Sequence, residues 1–258
     1  MSTFVLVHGA WHGGWVWRRV VPRLLEAGHE VHAPTLSGVS DRAHLVHPGL
    51  GLSTHVEDVT ALIEAHDLEN VVLVGHSYAG QVVTAVADRL PERLHRRVYL
   101  DAFVGRDGEA AIDLLPETVA GHYRESVAGP GFGWLIPVRP LNVLGVTEQA
   151  DLDWLGPRLT PHPWRTYTEP LRLSGHCDRV PAGYVECTAW MRAFRPHAER
   201  AAALGWPVHE LATGHEAMVT APRELADLLL GLSRMPRIGE ADGVPRPHGE
   251  PAAGRHAG

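Results

Sequence analysis

An α/β fold, with a mostly parallel central sheet flanked by helices and interrupted by an inserted cap, follows from three observations. Short apolar runs of β-branched character alternate with amphipathic stretches of helical period along most of the chain. That alternation lapses once, between about residues 105 and 181, in a stretch rich in Pro, Gly and Trp. The 258 residues suffice for one large domain with a buried sheet and are too few for two comfortable ones.

The elements follow in order. Phe4–His8 reads as an apolar strand ending in a Gly-rich turn, Gly9 to Gly14. Val16 to Ala27 has the period of an amphipathic helix, which tolerates Pro22 only near its first turn. Gly28 ends it, and Glu30–Ala33 starts the next strand. Ser53 or Thr54 is placed to cap a helix to about Ala65, and Glu57, three residues after Thr54, completes a capping box. Val71–Val74 is wholly apolar, as a central parallel strand buried on both faces requires. A helix from about Tyr78 to Arg89 and a strand at Arg97–Asp101 follow. Gly129-Pro130-Gly131 and Pro161-His162-Pro163 are breakers within the lapse. Strands at Tyr184–Cys187 and Pro207–Leu211 and a helix from about Pro222 to Leu232 complete the pattern. The predicted core is therefore 1–104 with 182–235, and the predicted cap is 105–181. From about Pro236 to Gly258 the chain is rich in Gly, Pro, Ala and His without apolar period, which predicts a disordered tail.

Composition excludes several kinds of chemistry. Apolar residues make up 45% and charged residues 21%, ordinary for a soluble enzyme. A net charge of -7 argues against nucleic acid or an anionic membrane as partner. No apolar run approaches a membrane span, and no signal-like segment precedes the first strand, so the expectation is a cytoplasmic protein. A homodimer is left open. Cys177 and Cys187 are too few for a disulfide framework and lack zinc-site spacing, so both are read as free thiols. All 23 basic residues are arginine. Without lysine the chain can form no lysine Schiff base and lacks the lysine of a phosphate-binding P-loop.

The strongest motif is Gly75-His76-Ser77-Tyr78-Ala79-Gly80 after the run Val71–Val74. A serine between small residues, directly after a buried strand and before a helix, describes a nucleophile elbow. The turn is so sharp that the positions two before and two after the serine must be small, and Gly75 and Ala79 are. The plain alternative is a serine capping an ordinary βα turn. The turn His8-Gly9-Ala10 after the first strand can bring the Ala10 N–H beside that of Tyr78, forming an oxyanion hole; a turn serving chain reversal alone is the alternative. The base must follow the serine, late in the chain. His215, in Thr213-Gly214-His215-Glu216, stands between the last strand and the last helix, whereas His209 lies within that strand and is read as structural.

The run Val5-Leu6-Val7-His8-Gly9-Ala10-Trp11-His12-Gly13-Gly14-Trp15, with Gly75-His76-Ser77 and Gly214-His215, resembles the methylesterase and hydroxynitrile lyase branch of α/β-hydrolases. Plant salicylate methylesterases are its familiar members, and the similarity reaches to about Leu232. The resemblance implies an α/β-hydrolase fold and gives Ser77, His215, Ala10 and Tyr78 the roles argued above. Two departures matter. The branch carries an acid just after the Cys-Thr that closes a late strand, but here Cys187-Thr188 runs into Ala189-Trp190-Met191. Asp101 stands instead at the end of Arg97–Asp101, where the plant enzymes have a small apolar residue, and is taken as a relocated acid. Asp107, Glu109 and Asp178 are the alternatives. The lyases, for their part, place a lysine next to the histidine; here Glu216 stands there, so cyanogenic lyase activity is not expected.

Trp11, His76, Trp134, Trp154 and Trp164 are expected to line the substrate pocket, with Phe132 and Tyr167 in the same aromatic-rich region; packing of cap against core would explain the cap aromatics equally well. The expected protein is a hydrolase needing no cofactor and no metal, acting on a hydrophobic or aromatic ester, lactone or thioester through an acyl-enzyme. Rival readings are C–C hydrolysis, decarboxylation or cyclisation on a polyketide-like substrate, and a small-ligand binding protein of low turnover.

Overall fold

The computed structural model describes residues 1–236. The chain enters the sheet at once with β1 (Thr3–Val7), crosses through α1 (Val21–Glu26) to β2 (Glu30–His32), and returns through α2 (Leu52–Ala65) to β3 (Val71–His76). From there α3 (Ala79–Arg89) leads to β4 (Leu94–Leu100). An excursion follows, with α4 (Glu117–Ala128), β5 (Leu135–Ile136), α5 (Gln149–Leu155), β6 (His162–Pro163) and α6 (Arg165–Thr168). The chain re-enters the sheet at β7 (Ala182–Cys187), then passes through α7 (Arg195–Ala203) to β8 (Val208–Leu211), and ends with α8 (Ala217–Thr220) and α9 (Pro222–Ser233). The six sheet strands lie in the order β2-β1-β3-β4-β7-β8, every neighbouring pair parallel, and β5 and β6 form a separate antiparallel pair.

Side chains alternate across the sheet and so build two cores. Val5 and Val7 of β1, with Val71 and Leu73 of β3, pack beneath α2 and α3 through Val56, Val59, Val82 and Val86. Phe4, Leu6, Val72 and Val74 face the other way, against Trp17, Leu24 and the α9 residues Leu225, Leu229 and Leu232. Burial of each such side chain is worth roughly 1.5–3 kcal/mol, and covering both faces explains why β3 reads as an unbroken apolar run. Among the described residues no helix is long and apolar enough to cross a membrane.

Two local readings changed, and a third cannot be compared. The helix expected from Val16 to Ala27 is two pieces, a 3-10 turn over Gly14–Arg19 and then α1, with Pro22 in the first turn of α1. Apolar period alone does not separate the two helix types, whereas proline selects where the second begins. The capping box expected at Thr54 and Glu57 is absent, because α2 already begins at Leu52 with Gly51 as its N-cap. Apart from Pro236, the tail expected to be disordered lies outside the described residues.

Candidate active site

Three backbone features place the site at the carboxyl ends of the strands. At the β3–α3 junction Ser77 has φ +55°, a left-handed conformation that side chains rarely adopt, and the strain turns its Oγ out of the sheet edge. The Ser77 N–H donates to Leu100 O, while Ser77 O accepts from the N–H groups of Gly80 and Phe103, all at 3.1 Å. Gly75 is obligatory here: a Cβ would lie 2.7 Å from both Ala79 O and Val83 Cγ1. One strand over, Asp101 follows β4 with φ +42°.

Asp101 Oδ2 accepts from His215 Nδ1 at 2.7 Å, and Asp101 Oδ1 accepts from the Cys187 N–H at 3.2 Å. The first bond sets the tautomer, leaving His215 Nε2 free of the proton in the neutral ring. The His215 ring stacks on Phe194, with centroids 4.8 Å apart and planes 5° from parallel, and His76 lies 4.5 Å away on its other contact. Burial works to lower the His215 pKa, but the hydrogen bond and charge of Asp101, with Glu216 adding, hold it above the ordinary histidine value. Of the alternative acids, Asp107 accepts from the Leu173 N–H, Glu109 pairs with Arg200, and Asp178 is exposed beside Arg97. None of the three meets His215.

The loop after β1 approaches this centre through Gly9, the residue before Ala10. A Cβ on Gly9 would come within 2.8 Å of His76 Nδ1 and 3.0 Å of Ser77 Cβ, so glycine is what lets the loop approach the elbow. His8 Nδ1 donates to Gly9 O at 2.8 Å and its Nε2 accepts the Leu36 N–H at 3.0 Å, while His12 Nδ1 bonds Ala10 O at 2.7 Å. Burial drives the His8 pKa down to about 3, keeping it the neutral brace that these bonds need. Tyr78 is the N-cap of α3, a position whose N–H lies outside the helix ladder, and Ala10 follows the end of β1.

Ser77, Asp101 and His215 border one cavity of about 450 Å³. Trp11 lines it as expected; His76, Trp134, Trp154 and Trp164 do not. His76 is turned inward, its Nε2 donating to His215 O at 3.0 Å. Trp154 lies on the opposite side of the sheet against Trp15 and Arg19. Trp164 stacks on Tyr167 behind the cavity wall, and the Trp134 carbonyl is bonded by the Trp164 N–H. The walls are instead formed by residues not singled out from sequence, among them Leu115, Val119, Tyr123, Trp190 and Phe194, together with Tyr167. No local motif marks those positions; for Val119 and Tyr123 the available signal was the apolar face of α4. Phe132, from the same aromatic group, is 81% exposed.

For metal ligation, one grouping appears among the described residues: His76, His215 and Glu216 each bring a ligand atom within 4.8 Å of the others. Two of its members are already committed, His215 Nδ1 to Asp101 and His76 Nε2 to a carbonyl. Glu216 is buried with His12 Nε2 at 3.5 Å.

A parallel sheet with a strained serine at the end of a central strand and a carboxylate-bonded histidine beside it defines an α/β hydrolase. Residues 4–228 match the model of the Alpha/beta hydrolase family, and the chain belongs to it. A carbendazim hydrolyzing esterase of Nocardioides sp. (strain SG-4G) is 39% identical over 243 residues, spanning 90% of this chain and 100% of the relative. Salicylic acid-binding protein 2 of Nicotiana tabacum is 35% identical over 102 residues, 39% of each chain. An extracellular α/β-hydrolase from a Paenibacillus species shares the fold with a TM-score of 0.80 at 24% identity, over 91% of this chain and 100% of that one. The protein is an esterase-type hydrolase.

Proposed function

We propose that this enzyme hydrolyses a carboxylic ester of a hydrophobic or aromatic small molecule through an acyl-enzyme on Ser77. Ser77 Oγ attacks the ester carbonyl carbon while His215 Nε2 takes its proton. The oxyanion of the tetrahedral intermediate rests on the Ala10 and Tyr78 N–H groups, each such donor worth about 3–4 kcal/mol. Collapse breaks the bond to the alcohol oxygen, which leaves with the proton held by His215. Water then attacks the acyl-enzyme with His215 again as base, releasing the acid and restoring Ser77. Asp101 holds the ring and stabilises the imidazolium between steps.

The 2.7 Å contact between Asp101 and His215, on the cavity that Ser77 also borders, carries this reading. The aromatic and aliphatic walls favour a flat apolar group, and carbendazim, the substrate named for the Nocardioides relative, is a natural first candidate. Leu115, Tyr123 and Tyr167, all from segment 105–181, roof the cavity, which supports treating that segment as a cap. Cys177 and Cys187 are both free and buried, in keeping with a cytoplasmic enzyme. The test is covalent: a fluorophosphonate should add one adduct mass on the peptide containing Ser77 and abolish hydrolysis of p-nitrophenyl butyrate and carbendazim together. Hydrolysis that survives complete labelling of Ser77 would sink the mechanism.

A further inference from the structure

Beside the catalytic cavity lies a second pocket of about 260 Å³, and the two share Tyr123, Arg139 and Val143 in their walls. Arg139 thus stands at the partition. Several arginines are held by carboxylates, as Arg192 is by Glu186 and Glu210 and Arg200 by Glu109. Arg139 lies over the Tyr123 ring at 5.3 Å instead, with no ion-pair partner among the described residues. The second pocket adds His122 and Ser126, one turn apart on α4, and apolar walls from Ile136 and Pro137. No Asp or Glu lines it, in a protein whose net charge is -7.

The catalytic cavity, lined by Ser77, Tyr167 and Tyr123 together, joins this pocket to the nucleophile, and a stack of rings backs it. Tyr78, next to Ser77, stacks on Tyr167 at 5.3 Å; Tyr167 stacks on Tyr123 at 5.6 Å; and Tyr123 carries the Arg139 guanidinium. A guanidinium with no carboxylate partner at the far end of that cavity fits a carboxylate, which it can bind through two parallel N–H bonds. Resting on the esterase reading above, we infer that the second pocket is a subsite for an anionic group at the far end of the substrate. The substrate class is an ester that also bears a free carboxylate, such as the half-ester of a dicarboxylic acid.

The test measures binding, so that it does not depend on turnover. Ser77→Ala enzyme would be titrated calorimetrically with the monomethyl and dimethyl esters of succinate, adipate and suberate. Each pair matches in length and differs in one charge. The monomethyl ester of the best-fitting length should bind at least tenfold tighter than its dimethyl partner. Adding Arg139→Met should erase that preference, while Arg124→Met, which removes an exposed charge from α4, should keep it. Equal affinity for both esters at every length, or a preference that survives Arg139→Met, overturns the subsite. If the preference is present but wild-type enzyme cleaves neither ester of the bound pair, the subsite stands and the esterase reading fails instead.

Discussion

Asp101 and His215 are 114 residues apart in the chain, and their side chains meet at 2.7 Å. The contact exists because β4 lies beside β7 and β7 beside β8, so the turn after β4 faces the loop after β8 across the sheet edge. Cys187, at the end of the intervening β7, contributes only its N–H, which bonds the other oxygen of the same carboxylate. The carboxylate therefore reaches the imidazole from a neighbouring strand without needing an acid after Cys187-Thr188.

Asp101→Asn keeps the shape and removes the charge. Its kcat on p-nitrophenyl butyrate should fall roughly 10³–10⁴-fold, whereas Asp107→Asn and Asp178→Asn should stay close to wild type. A rate within tenfold of wild type for Asp101→Asn would show that the contact is structural.

With His215 as the proposed base, turnover needs the neutral imidazole, so kcat/KM should rise with pH through the His215 pKa. Burial lowers that pKa, but Asp101 and Glu216 more than offset it, which puts the rising limb above the ordinary histidine value. In Asp101→Asn the lowering effect of burial is left with less opposition, and the limb should move to lower pH as the rate drops. A limb that does not move would dissociate Asp101 from the base.

Gly75→Ala puts a methyl group 2.7 Å from the Ala79 carbonyl and from Val83. The clash should cost about 1–3 kcal/mol of stability and displace the elbow, lowering kcat more than it raises KM. Chemical denaturation and steady-state kinetics on the same sample would test both.

The cavity walls separate residues by role. Leu115→Trp, which fills the cavity, should raise KM for aryl esters by at least tenfold. Trp154→Ala, on the opposite side of the sheet, should leave KM unchanged and reduce stability. Reversal of the two effects would relocate the pocket.

Acid should destabilise the fold through buried histidines. Burial lowers His8 to a pKa of about 3 and His55 and His197 to about 4, against about 6.5 unfolded. Below pH ~6.5 the unfolded chain binds protons that these residues refuse, so stability should fall with falling pH, by at most about 1.4 kcal/mol per histidine per pH unit. His215 acts in the opposite sense, since its raised pKa adds stability that is present below the unfolded value and lost as pH rises through the folded one. Urea midpoints compared at neutral pH and near pH 5 should show the net loss; an unchanged midpoint would contradict it.

Local pattern was enough to encode several features. Unbroken apolar runs revealed strands buried on both faces, and Gly75-His76-Ser77 between such a strand and a helix revealed the elbow, because its sterics demand small neighbours. His215 was legible for the same reason, standing at a loop between two strongly patterned elements. Periodicity could not tell a 3-10 turn from an α-helix at Val16, nor see that α2 begins before Thr54, since helix starts depend on backbone geometry that side-chain type only biases. Which aromatics line the cavity depends on how the elements pack. Trp154 and Tyr123 are alike in composition, yet one packs beneath the sheet and the other above it, because direction comes from how each helix docks. The meeting of Asp101 with His215 was decided in the same way, by strand order in the sheet, a relation between residues that no local run of sequence contains.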